Sequence, residues 1–265
     1  MAKQSVEDVV LVEDQRPIGG ELRFEPTQRR LRVMFGGITI ADSRDARLMI
    51  ETRRLPVYYF PAKDVRLDLL EPTEFKSQHA GKGEAHFYSV KVNDRVAQKA
   101  AWRYPQPERA DLEDYLAFYW DKMDAWFEED DEVFVHPRDP YHRVDVLNSS
   151  RHVKVVVGGL VVAETKRPRL LFETGLPTRY YLPKLDVRLD LLTPTSTTTR
   201  CPYKGKASYW SVTVDGKEYR DIVWAYPAPI PECPKIENLL CFYDEKVDAV
   251  YVDDELQPRP VTPWS

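Results

Sequence analysis

Residues 57–70 read VYYFPAKDVRLDLL, and residues 179–192 read RYYLPKLDVRLDLL. A chain that states one pattern twice at long range must build one structure twice. The offset is 122, from Arg66 to Arg188, and it also relates Gly36-Gly37 to Gly158-Gly159, Glu51 to Glu173 and Trp102 to Trp224. Beyond the tryptophans it becomes 124, from Tyr119 to Tyr243, as a short insertion near residues 229–233 would cause. Solenoid modules repeat every 20–50 residues or so, so a unit of this length is a domain. The expected division is residues 1–136, a linker at 137–143, and residues 144–265.

Each copy reads as strands. RLRVMF, Gly36-Gly37 and ITIA form a hairpin, repeated as HVKVVV, Gly158-Gly159 and LVVA. Two glycines supply the positive φ that a two-residue hairpin turn requires. A second hairpin turns at Asp215-Gly216, and at Asn93-Asp94 in the first copy. DVRLDLL alternates polar and apolar residues as a half-buried strand does, although a short helix after the preceding proline also fits. Residues 107–116 carry Leu112, Tyr115 and Leu116 at helical spacing, which predicts one short helix per copy. The acidic run 128–132 reads as a solvated boundary.

With 43% hydrophobic and 12% aromatic residues, both copies have material for a core. The net charge of −5 comes with no basic stripe, which argues against a nucleic-acid partner. No apolar run is long enough to span a membrane, and the first residues lack the layout of a secretory signal. Three cysteines without a Cys-x-x-Cys pair predict reduced thiols and a cytoplasmic protein.

The copies differ most where the second reads RCPYKGKASYWSV and the first QHAGKGEAHFYSV. Cys201 has Arg200 beside it and Lys204 three residues on, and cationic neighbours lower a thiol's pKa. It is a candidate nucleophile or redox thiol, with Lys204 as its partner; the alternative is a small packed residue. Lys204 has Lys82 as its counterpart, so it either binds an anion or supports the loop. Tyr180, Tyr203, Tyr209, Trp210, Trp224 and Tyr226 supply aromatic walls for a small-molecule pocket, or simply a core. Glu173 and Arg179 flank a Gly-Leu-Pro turn and are placed at the same mouth. Arg188 either forms an ion-pair ladder with Asp186 and Asp190 or presents its fork to a carboxylate or phosphate. No histidine has metal-ligand spacing.

The motifs GG-(I/V)-x-(I/V)-A, ETGLPTRYYLP, DVRLDLL, CPYKGKASYWSV, W-x-YP and FY-x-x-K-V-D-A resemble the family called domain of unknown function 427. The tandem arrangement, joined by VHPRDPYHRV, is similar to its two-domain bacterial members. That resemblance implies a mainly β chain of two β-tent-like antiparallel domains. Relatives of the β-tent often pin their sheets with zinc on two Cys-x-x-Cys pairs; this chain has none, so neither zinc nor another cofactor is expected. Some members carry a nucleotidyltransferase-like label, but the Gly-Ser turn and paired acidic strand of such enzymes are absent from the sequence. Three functions remain open: a small-molecule-binding module with its pocket around the CPYKG loop, an enzyme using Cys201, or a scaffold.

Overall fold

The computed structural model describes residues 22–52 and 54–262. Residues 1–21 and 263–265, with which the expected domains begin and end, lie outside the described residues. The chain divides into two compact units between Asp139 and Pro140.

In the first unit a seven-stranded antiparallel sheet runs in the order Leu22–Pro26, Arg47–Glu51, Val57–Pro61, Tyr115–Phe118, Arg95–Arg103, Gly83–Val92, Leu70–His79. A four-stranded sheet runs Asp131–Val133, Ala125–Glu128, Leu31–Phe35, Ile38–Ser43. The second unit repeats both. Its larger sheet is Val144–Asn148, Arg169–Glu173, Arg179–Leu182, Leu240–Phe242, Lys217–Ala225, Gly205–Val214, Leu192–Cys201. Its smaller one is Leu160–Thr165, Val153–Val157, Ala249–Val252, Glu255–Leu256.

The main core of each unit lies between the two sheets, with Val33, Phe60, Val90 and Trp126 in the first and Val155, Leu182, Val212 and Val250 in the second. The opposite face of each seven-stranded sheet is buried too. In the first unit Leu112 packs over Tyr59, Phe87 and Ala117; in the second, Cys233 and Ile236 pack with Tyr181, Tyr209 and Cys241. A strand buried on both faces spreads its aromatics between two cores, because successive side chains point opposite ways.

Both Gly-Gly turns adopt positive φ at each residue, 60° and 78° in the first copy and 60° and 75° in the second. The first glycine is required twice over, since a Cβ at Gly36 would stand 2.7 Å from Val92 Cγ1.

The expected helix is not formed. Residues 110–112 make a single 3₁₀ turn, and Tyr115–Phe118 is a strand paired with Val57–Pro61 and Arg95–Arg103. Sheet pairing outweighed a local spacing supported by only three apolar residues. Of the two readings of DVRLDLL, the helical one after the proline fits: the segment is not a strand but lies in two consecutive 3₁₀ turns, Lys184–Asp186 and Leu189–Leu191. The acidic run is not wholly solvated. Glu128 is buried, accepting a hydrogen bond from the Tyr58 hydroxyl at 2.6 Å and another from Arg29. Among the described residues no helix is long and apolar enough to cross a membrane.

Candidate functional site

The site is built on the outer face of each seven-stranded sheet, at equivalent positions in the two units. An ion pair anchors it. Lys82 Nζ donates to Glu51 Oε2 at 2.7 Å, and in the second unit Lys204 Nζ donates to Glu173 Oε2. Both lysines leave a tight turn and are followed by a glycine at φ 99° or 109°. Only glycine fits there, because the covering loop passes so close that a Cβ on Gly83 would lie 3.0 Å from the Gln106 carbonyl oxygen. The Lys-Gly pair shared by both copies therefore closes a strand end beneath a loop and delivers an ammonium, buried at Lys82 and partly buried at Lys204, to a carboxylate.

Beside the pair stands an aromatic frame. The Trp102 indole N–H donates to the Tyr59 hydroxyl at 3.2 Å, and Trp224 to Tyr181 at the same distance. Tyr119 lies against Trp102, with ring centroids 4.8 Å apart and tilted by 46°; Tyr243 lies against Trp224 at 4.5 Å and 51°.

What occupies the frame differs. In the second unit the guanidinium of Arg179 lies over the Trp224 ring, with Cζ 5.6 Å from its centroid. It donates to both Glu245 carboxylate oxygens, at 2.8 and 2.5 Å, and Asp244 stands 3.7 Å away. The Glu245 side chain is fully buried, and burial pushes the Asp244 carboxyl up to about 7 against the pull of Arg179. In the first unit the counterparts of Arg179, Asp244 and Glu245 are Val57, Trp120 and Asp121. Trp120 stacks on Trp126 at 4.4 Å, and a cleft of about 260 Å³ opens. Val57, Trp102, Tyr119 and Asp121 line it together with Glu51 and Lys82.

The predicted site residues divide between the two faces. Cys201, Tyr209, Trp224 and Tyr226 meet on the outer face, where Tyr209 shares a hydrogen bond with Thr199 Oγ1 at 2.8 Å. Glu173, Lys204 and Arg179 are arranged beside them as described. Tyr203 stacks on His142, with centroids 4.2 Å apart, and that imidazole lies 3.1 Å from Glu173 Oε1. His142, expected in the linker, thus belongs to the second unit.

Three predicted residues are elsewhere. Trp210 and Tyr180 pack against the core between the sheets, because each is adjacent in its strand to a residue facing outward. Arg188 sits in the 3₁₀ segment and bridges Asp190 on the exposed surface, at 2.8 and 2.6 Å. The Cys201 thiol is pushed up by burial; Lys204 opposes the shift without reversing it. That is the opposite of activation for nucleophilic attack. Cys233 and Cys241 are buried, and all three thiols are free.

The family's sequence profile matches residues 23–129 and again 145–253, once on each unit. The chain belongs to DUF427, a domain of unknown function. No curated protein matches it. The two DUF427 copies share the Glu-Lys pair and the Tyr-Trp-Tyr frame, so those residues belong to the common architecture. Sequence reasoning missed the occupant. The signal was available at the aligned positions where the copies disagree, Val57 against Arg179 and Asp121 against Glu245.

Proposed function

We propose that this DUF427 protein is a small-molecule-binding module whose site is the cleft of the first domain. The observation that supports it most is the frame itself, filled in the second domain by a side chain of the chain and open in the first. Aromatic walls with a few placed polar groups are the usual make-up of a ligand site. A volume of about 260 Å³ suits a small ligand or the head group of a larger one. In this reading the CPYKG loop of the second domain closes over its own aromatic cluster, and Cys201 is one of the residues that pack it. Three free thiols fit a reducing compartment.

The test uses a plug. Val57→Arg places in the first domain the side chain that fills the second. Compounds that bind the cleft should raise the unfolding midpoint of the wild-type chain and lose that effect in V57R, because ligand that binds only the native state must stabilise it. A screen in which every stabilising compound acts equally on V57R removes the reading.

A further inference from the structure

The second domain shows what its frame holds: a guanidinium lying over an indole and clamped by a carboxylate. We infer that the cleft of the first domain takes a guanidinium borne by a small organic ligand, an inference that rests on the binding role proposed above.

Four observations carry it. The receiving surface is the same in both domains, since Trp102 and Tyr119 have nearly the tilt and separation of Trp224 and Tyr243, and each indole is fixed by a tyrosine hydroxyl. A ring face fixed in this way attracts a cation through its quadrupole. Asp121 stands at the position of Glu245 and lines the cleft, yet makes no hydrogen bond or ion pair among the described residues. Val57 starts from the same place in its strand as Arg179, for Val57 pairs with Met49 as Arg179 pairs with Leu171. Its short side chain leaves unfilled the space that a guanidinium takes up in the second domain. Lastly, the lining cations Lys82 and Arg54 do not stand in the way, because both are paired with Glu51, at 2.7 and 3.7 Å. The counterpart of Lys82, Lys204, is paired in the same manner, with Glu173. Where the second domain has Asp244, the first presents Trp120, a further aromatic surface in place of a second carboxyl.

The geometry thus separates two ways of supplying one cation, from the chain at residue 179 and from solution at residue 57. Titration calorimetry of the full-length protein with n-butylguanidinium, and with the neutral isostere n-butylurea, tests this. The guanidinium should bind at one site per chain and the urea at least about tenfold more weakly. Asp121→Asn, an exposed change at the rim that leaves the core untouched, should weaken the guanidinium about tenfold, and V57R should abolish its binding. With the first cleft plugged, the same probe should again raise the unfolding midpoint in the V57R/R179A double variant, by entering the space that the second substitution opens.

If n-butylurea binds as well as n-butylguanidinium and V57R removes both, the cleft is a ligand site and the cationic inference is wrong. If neither probe binds while screened compounds still distinguish wild type from V57R, the inference fails and the binding role stands. If nothing distinguishes them, both fall. Unchanged guanidinium affinity in D121N overturns the assignment of its carboxylate partner.

Discussion

Two copies of one frame have been completed differently. In the second domain, the place above Trp224 is occupied by Arg179 and sealed by Glu245, whose side chain is wholly buried. In the first, the same place is bounded by Val57 and Asp121 and stands open. A buried ion pair is a poor source of net stability, because desolvating two charges offsets most of their attraction, but breaking it is costly. The second domain is therefore committed to its own occupant. The first carries no such commitment, and a substitution at its rim should be cheap. That contrast can be measured.

The largest effect should come from the clamp. Glu245→Ala leaves the Arg179 guanidinium buried without its bidentate partner and should destabilise the second domain by about 3–5 kcal/mol. Asp121→Ala, the equivalent change in the first domain, should stay within about 0.5 kcal/mol, as exposed substitutions usually do. Hydrogen exchange read separately for the strands of each unit gives both values on the intact chain. Equal losses in the two domains would erase the distinction between a filled and an open frame.

The tryptophans should rank next. Trp224→Ala removes an indole covered by Arg179 and bonded to Tyr181, at a cost of about 3–4 kcal/mol. Trp102→Ala removes one that lines the cleft, and should cost about 1–2 kcal/mol less. Urea unfolding followed in the same way checks the order, and a Trp102→Ala loss larger than that of Trp224→Ala would mean that the cleft is closed in solution.

Asp244 makes the domains differ in pH dependence. Burial is the main cause of its raised pKa, about 7, against an ordinary value of 3.8. The folded protein keeps this proton where the unfolded chain has released it, so this group's contribution to stability falls as pH rises from about 4 to about 7. Asp244→Asn should flatten the pH profile of the second domain and stabilise it at pH 8 by on the order of a few kcal/mol. The first domain, with Trp120 in that place, has no such group there. A profile unchanged by D244N would show that the carboxyl is ionised throughout.

The smallest effect concerns thiols. Native Cys201, Cys233 and Cys241 should all react slowly with a disulfide reagent at pH 7, since burial raises each thiol's pKa. Cys201, the most exposed of the three, should react first but no faster than a free thiol. A rate well above that would restore the nucleophile reading for the second domain and give it a function that the first lacks.

Much of this molecule is legible in the chain alone. The repeat declares two domains, and the glycine and Asp-Gly turns locate the hairpins, because positive φ restricts which residues a turn accepts. The lysine of each Lys-Gly pair was visible as a shared position, although its carboxylate partner lies 31 residues away. Local periodicity misled at residues 107–116, and in DVRLDLL the alternation favoured a strand where the helical alternative after the proline holds, because short segments take their conformation from their neighbours.

The occupant of the frame was decided only by the tertiary structure. Arg179 and Glu245 lie 66 residues apart and meet because Arg179–Leu182 pairs with Leu240–Phe242. A sequence reads as two similar lists of aromatics, and alternation along a strand assigns each to a face without saying what lies over it. Whether an indole is covered by a guanidinium or faces a cleft depends on how far a side chain reaches from two strands away. Valine and arginine at one aligned position differ in that reach, and the fold alone turns the difference into an open cleft and a filled one.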